Sequence, residues 1–312
     1  MINVTNFSEF IIIKTGQFET FVDDSGDSFS LGDVLRTTAL LRVLSTEKKI
    51  HWLTHRSAIS LLPTQENLSA NEFNLDYLEK LTRKSDMLII NLERDPRLIS
   101  ILQNEENIIG FVFKENQWIL QDHTKKSYLL KGWIEYCGSN SANTWGAMLQ
   151  KLLGLTSSLT VPLYKKPQVE IAADIGFNWH VGSKWPSKRI PQYLWEKIES
   201  DLRFRYKISW QRGLDSTHEY ADWIASNRLV ISADSLGVHL ANAMSIPLIA
   251  LFGSTDYKLH DAGPHSCYLS FNAPKPLYSC IPCWKSECFQ KIHCSEYFDF
   301  SKIYSLLDNF LH

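Results

Sequence analysis

The sequence predicts an α/β fold of two Rossmann-like, doubly wound parallel-sheet domains, on three observations. Short aliphatic runs of strand length alternate with helix-period segments along the chain. That alternation breaks once, over 159–167, where two prolines and polar residues interrupt the periodicity, and then resumes. The 312 residues are enough for two sizeable cores. An N-terminal domain is therefore expected over 1–160 and a C-terminal one over 161–312.

In the first half, 10–13 (FIII) reads as a buried first strand. A long polar connection over 16–30 follows, carrying Asp23, Asp24 and a Gly26-Asp27 pair; loops of this length tend to be functional. Val34, Leu35, Thr38, Leu41 and Leu44 then recur at helical spacing to about Ser45. A second strand is expected over 50–53. Helices are expected over 75–83, 96–103 and 142–153, and strands over 87–92 and 108–113.

The second half repeats the alternation, with a strand over 169–175, a helix over 192–202, a strand over 206–210 and a helix over 217–226. The stretch from Asn227 to Thr255 then reads strand, tight turn, helix, strand. Leu229 to Ser232 is too short and β-branched for a helix. Asp234 or Ser235 can cap the helix that carries Val238, Leu240, Ala241, Ala243 and Met244. Pro247 ends it, and 248–252 returns as a buried strand. A closing helix is expected over 301–311.

Bulk composition narrows the classes of function. A hydrophobic fraction of 44% with 21% charged residues is ordinary for a globular protein. A formal charge of −2 argues against a general nucleic-acid binder, so any phosphate site must be a local basic cluster. The N-terminal residues show no basic region leading into a long apolar one, and no apolar run reaches membrane-spanning length. A cytoplasmic protein is expected, one that could still meet a membrane through a peripheral surface.

Four places could carry chemistry. The turn before the 236–244 helix is suited to an anion, because a helix N-terminus presents unpaired N–H groups and partial positive charge. His239 lies one turn into that helix. The same residues also fit an ordinary βαβ unit with a satisfied polar cap. Asp33, at the mouth of the first βα unit, is either a site carboxylate or a helix cap. Lys184, Lys188 and Arg189 fall within six residues at the start of a Pro-initiated helix, as a phosphate cluster or as a solvated basic turn. Cys280, Cys283, Cys288 and Cys294 lie within fifteen residues, a spacing suited to a tetrahedral structural metal site over 280–294, zinc with iron as the rival. Four thiolates leave no open coordination position, which argues against a catalytic role. His293 and Cys267 are reserve ligands, and a redox pair or free buried thiols are the alternatives.

The pattern Asp234-Ser235-x-x-x-His239-Leu240-Ala241, followed by Leu251-Phe252-Gly253-x-Thr255, resembles glycosyltransferase family 9, the ADP-heptose:lipopolysaccharide heptosyltransferases. Gly32-Asp33-x-x-x-Thr37 matches a second signature of that family, and Lys188, Pro191 and Trp195 match a third. The resemblance implies a GT-B architecture with the two domains facing a central cleft, and an inverting transfer of heptose from ADP-heptose to a glycan or glycolipid hydroxyl. It implies Asp33 as general base, with Arg36 and Thr37 near acceptor or phosphates. Donor contacts would come from Ser183, Lys184, Lys188, Asp234, Ser235, Leu236, Gly237 and His239, with no catalytic metal. Four departures stand out: Leu236 takes the place of the family's glycine, Gly237 coming one later; Ile190 replaces the first Trp; no acidic residue stands at Ser209 to Arg212 for the ribose; and an insertion precedes Asp33. Asp33 is preferred to Asp27 because the helix-period residues follow it. The rival readings are a GT-B enzyme for another nucleotide sugar, an epimerase of similar architecture, and a non-catalytic metal-binding assembly subunit.

Overall fold

The computed structural model describes residues 1–18, 29–44, 47–84, 86–138, 144–156, 161–214, 216–271 and 279–311. Asp23, Asp24 and the Gly26-Asp27 pair lie outside them. The chain forms two compact units, Met1–Leu163 and Tyr164–His312. No helix of the described residues is long and apolar enough to cross a membrane.

The first unit is built on strands β1 (Glu9–Ile13), β2 (Lys49–Thr54), β3 (Leu68–Glu72), β4 (Met87–Asn91), β5 (Ile108–Lys114), β6 (Gln117–Gln121) and β7 (Ser127–Tyr128). Their order is β3-β2-β1-β4-β5-β6-β7. The first five pair in parallel, and β6 and β7 extend the sheet antiparallel. Helices α1 (Leu31–Thr37), α2 (Leu75–Thr82), α3 (Ile99–Leu102), α4 (Leu130–Gly138) and α5 (Trp145–Leu153) accompany it. Phe10 to Ile13 are at most 1% exposed, as expected for a central strand covered on both faces.

The helix expected from Val34 to Ser45 is interrupted. After Thr37 the chain tightens into a 3-10 turn, Thr38–Arg42, and Ser45 lies outside the described residues. Thr38 Oγ1 donates to Leu35 O at 2.6 Å and accepts from Leu163 N–H at 2.7 Å. Arg42 donates to the carbonyls of Val161 and Pro162. Side-chain bonds of this kind compete with a regular helix.

The second unit is a five-stranded sheet of β8 (Ala173–Asn178), β9 (Ile208–Trp210), β10 (Asn227–Ala233), β11 (Leu248–Phe252) and β12 (Ser266–Ser270), ordered β12-β11-β10-β8-β9 and parallel throughout. Its helices are α6 (Gln192–Leu202), α7 (Thr217–Ala225), α8 (Leu236–Ala243) and α9 (Ser301–Leu311). Trp195, which no solvent reaches, packs on Phe177 at 5.5 Å between ring centroids, within a core that also holds Ile190, Leu229, Ile231 and Leu307. The strand expected over 169–175 instead begins at Ala173. Val169 and Ile171 are exposed, so the apolar character that suggested an earlier start is spent on a surface connection.

Candidate active site

In each unit the strand order reverses beside the first strand, and the carboxyl ends on either side of that reversal are where open α/β sheets bind ligands. In the first unit the reversal lies between β1 and β4. Lys14 follows β1 directly, Glu93 stands two residues past β4, and Asp33 occupies the first turn of α1, whose Ser30 cap accepts the Asp33 N–H.

These residues form a buried charge cluster. Lys14 Nζ lies 3.2 Å from Glu93 Oε1 and 4.0 Å from Asp33 Oδ2, and Arg36 Nη2 lies 2.6 Å from Asp33 Oδ1. Glu93 also accepts the N–H groups of Gly16 and Phe18. Arg36 rests over the Trp145 ring at 5.1 Å, and Trp145 Nε1–H donates to Thr37 Oγ1 at 3.0 Å. Thr37 in turn donates to the Asp33 carbonyl at 2.7 Å. Buried charges persist only when paired, and here the pairs fix the Asp33 carboxylate at the sheet's reversal point.

In the second unit the reversal lies between β8 and β10, whose carboxyl ends are Asn178 and Ala233. Asp234 follows at 3% exposure. Its Oδ2 accepts from Lys188 Nζ at 2.8 Å and, in a very short bond, from Thr255 Oγ1. Burial by itself would raise the Asp234 pKa. The Lys188 ammonium, His260 and the Thr255 hydroxyl overcome that and hold the carboxyl well below the usual carboxylate range. Lys188 also lies 5.0 Å over the Trp185 ring. Ser235 is the N-cap of α8, its hydroxyl accepting the Gly237 N–H. His239 is buried and stacks on His260, 5.6 Å between centroids.

Of the expected donor residues, Lys188, Asp234, Ser235, Gly237 and His239 are thus gathered around the start of α8. Leu236 is half-buried, Ser183 is exposed and Lys184 is half-buried. Asp33, Arg36 and Thr37 stand together in the first unit. Sequence reading overlooked Lys14, Glu93, Asn178 and His260. A lysine directly after a buried strand was the one local signal available, because a charge in that position must find a partner.

The four cysteines line one small cavity of about 20 Å³ with Ser187, Gly253, Ser254 and His293. Burial first, then the facing Cys288, Cys283 and Cys280, pushes the Cys294 thiol up to about 12. Among the described residues no three His, Cys, Asp or Glu side chains have metal-holding geometry. The segment is tied to the donor turn from both sides. Ser187 donates to Lys285 O at 2.5 Å, His293 Nε2 bonds Ser187 O at 2.9 Å, and the Trp284 N–H reaches Ser254 O at 2.8 Å. Ser187 precedes Lys188, and Ser254 precedes Thr255.

Residues 216–289 match the model of glycosyltransferase family 9 (heptosyltransferase). Comparison with curated proteins gives no match. Among solved structures, a glycosyl transferase family 9 protein from Veillonella parvula aligns with 98% of this chain and 97% of its own at 14% identity and a TM-score of 0.61. The E. coli heptosyltransferase WaaC with ADP aligns over 85% and 93% at 14% identity and a TM-score of 0.55. The iron-containing dodecameric glycosyltransferase TibC from enterotoxigenic E. coli aligns over 98% and 76% at 13% identity and a TM-score of 0.54. At such identities these structures share a fold with the chain. Residues 216–289 are thus similar to glycosyltransferase family 9 (heptosyltransferase), and the chain as a whole shares the two-sheet GT-B fold of these solved structures.

Proposed function

We propose that the protein transfers a heptose from ADP-heptose, with inversion, onto a hydroxyl of a lipopolysaccharide core or related glycan. The observation that carries this reading is the Lys188–Asp234–Thr255 closure beside the N-terminus of α8, where β10 ends at its sheet's reversal point. A buried carboxylate there holds an ammonium whose remaining N–H groups can bond a diphosphate. Support for the donor comes from the structural neighbours, since WaaC was solved with ADP-2-deoxy-2-fluoro heptose and TibC with ADP-D-β-D-heptose.

In this mechanism the acceptor oxygen forms its bond to the anomeric carbon as the bond to the diphosphate breaks. The acceptor proton passes to Asp33, and ADP departs with both electrons of the broken bond. General-base assistance contributes roughly 10²–10⁴-fold. Lys188 and the first N–H groups of α8 stabilise the charge growing on the leaving diphosphate, which is usually the larger effect. Transfer from a panel of nucleotide sugars is the test.

The cysteine segment fits a structural ion by the chemistry of its donor set, four cysteines that line one small cavity without themselves standing in metal-holding geometry. Cys280, Cys283, Cys288 and Cys294 would hold zinc, or iron as in the iron-containing TibC. Protein purified without chelator is expected to carry about one such ion per chain. Its removal should lower the melting temperature and weaken ADP binding, because the segment braces the residues next to Lys188 and Thr255. Elemental analysis showing no metal, with four titratable thiols, would contradict the site.

A further inference from the structure

Behind the first turn of α8 lies a bonded chain of side chains that runs from Tyr220 through Asn178 to the Ser235 cap. Tyr220, on α7, donates its hydroxyl hydrogen to Asn178 Oδ1 at 2.6 Å. Asn178, the last residue of β8, donates from Nδ2 to Ser232 Oγ at 2.7 Å and to Ser235 Oγ at 2.9 Å. The Ser235 hydroxyl also accepts the Gly237 N–H at 3.3 Å, so a continuous chain of bonds runs from Tyr220 through Asn178 and Ser235 to the turn. Ser232 completes its own bonding by donating to Ala233 O at 2.6 Å. Burial pushes the Tyr220 hydroxyl up to about 12 in spite of these bonds, so it stays a neutral donor at any working pH.

Asn178 and Tyr220 account for the displaced glycine in this chain's motif. A Cβ on Gly237 would lie 2.2 Å from Asn178 Nδ2 and 2.5 Å from the Tyr220 oxygen. No side chain fits there unless Asn178 and Tyr220 move. The Ser235 hydroxyl is also engaged, accepting from Asn178 Nδ2 and from the Gly237 N–H. What the turn can offer an anion is therefore its backbone N–H groups, whose direction is set by how firmly the turn is held.

We propose that Asn178 and Tyr220 are positioning residues of the donor site, holding the turn from Ser235 to Gly237 so that its backbone N–H groups meet the donor diphosphate. This rests on the assignment of the diphosphate to the start of α8. Donors fixed before the ligand arrives act without reorganisation, which is where most of their effect lies. Neither residue touches the ligand, so their loss should fall on the diphosphate and spare the nucleoside.

Calorimetry on the full chain with ADP and with adenosine tests this. Tyr220→Phe should weaken ADP binding by about tenfold, the value of one well-made hydrogen bond, and leave adenosine binding within about twofold. Asn178→Asp, which keeps the shape and removes both Nδ2 donors, should act in the same direction and provides the test if Tyr220→Phe proves unstable. Because Tyr220 and Ser235 are joined through Asn178, Tyr220→Phe combined with Ser235→Ala should cost no more than the costlier single change. Additive losses, or equal losses for ADP and adenosine, would overturn the proposal while leaving the donor site in place. A native protein that binds ADP no tighter than adenosine would overturn the donor assignment itself, and the proposal with it.

Discussion

Asp33→Ala is expected to lower turnover by at least about a hundredfold while leaving ADP affinity nearly unchanged. The carboxylate sits in the first unit, whereas every group assigned to the donor diphosphate sits in the second, so the two effects should separate cleanly. Removing it also leaves Arg36 without the partner it holds at 2.6 Å. A loss of stability is therefore expected alongside the loss of rate. Asp33→Asn keeps the side-chain volume and separates the two, since an amide cannot take the acceptor proton. If either variant turned over at the native rate, Asp33 would be a structural member of the cluster with Lys14, Arg36 and Glu93, and no base.

Lys188→Ala is expected to weaken ADP binding far more than adenosine binding, because the lost contact is with charge. It also strips a buried carboxylate of its cation, a change that typically costs about 3–5 kcal/mol. The sign of the pH dependence follows from Asp234. Its pKa lies below the usual range in the folded protein, so its contribution is present above about pH 4, the ordinary carboxylate value, and is lost as pH falls through the folded value. The variant's deficit should accordingly be full at neutral pH and shrink under strong acid, measured by denaturant unfolding at several pH values. Equal losses of affinity for ADP and adenosine would return Lys188 to an ordinary solvated turn.

Much of the fold was legible because its central strands are short apolar runs bounded by turn residues. β1, β4, β10 and β11 are of this kind, and the cap at Ser235 together with Pro247 brackets α8 in the sequence. The strands that escaped notice are edge or hairpin strands. β3 and β12 are half-exposed along most of their length, so they carry no burial signal. The turn between β5 and β6 places Glu115 and Asn116 at positive φ without the glycine that usually marks a two-residue hairpin. The Asp33 and Lys188 segments could be singled out because each motif is local. Lys14 and Glu93 beside Asp33, and Asn178 and Tyr220 behind Ser235, are brought into place only by sheet order and helix packing. Glu93 meets Lys14 because β1 and β4 are neighbours across the reversal, and Tyr220 meets Asn178 because α7 leads back onto the end of β8. The inserted loop over 16–30 stayed opaque for a different reason, since its polar residues carry no periodicity to place them.

The proposed glycosyl donor is a nucleoside diphosphate sugar, ADP-heptose above others. The most direct measurement incubates purified protein, with its native metal content, with ADP-heptose and in parallel with UDP-, GDP- and CMP-sugars, and follows nucleotide release and the sugar product by NMR in the presence of a lipopolysaccharide-core acceptor. Release of ADP with transfer of heptose, the new linkage of opposite anomeric configuration to the donor, is the predicted result. Transfer with retained configuration, faster turnover of another nucleotide sugar, or no turnover of any donor by protein that is folded and metal-loaded would contradict it.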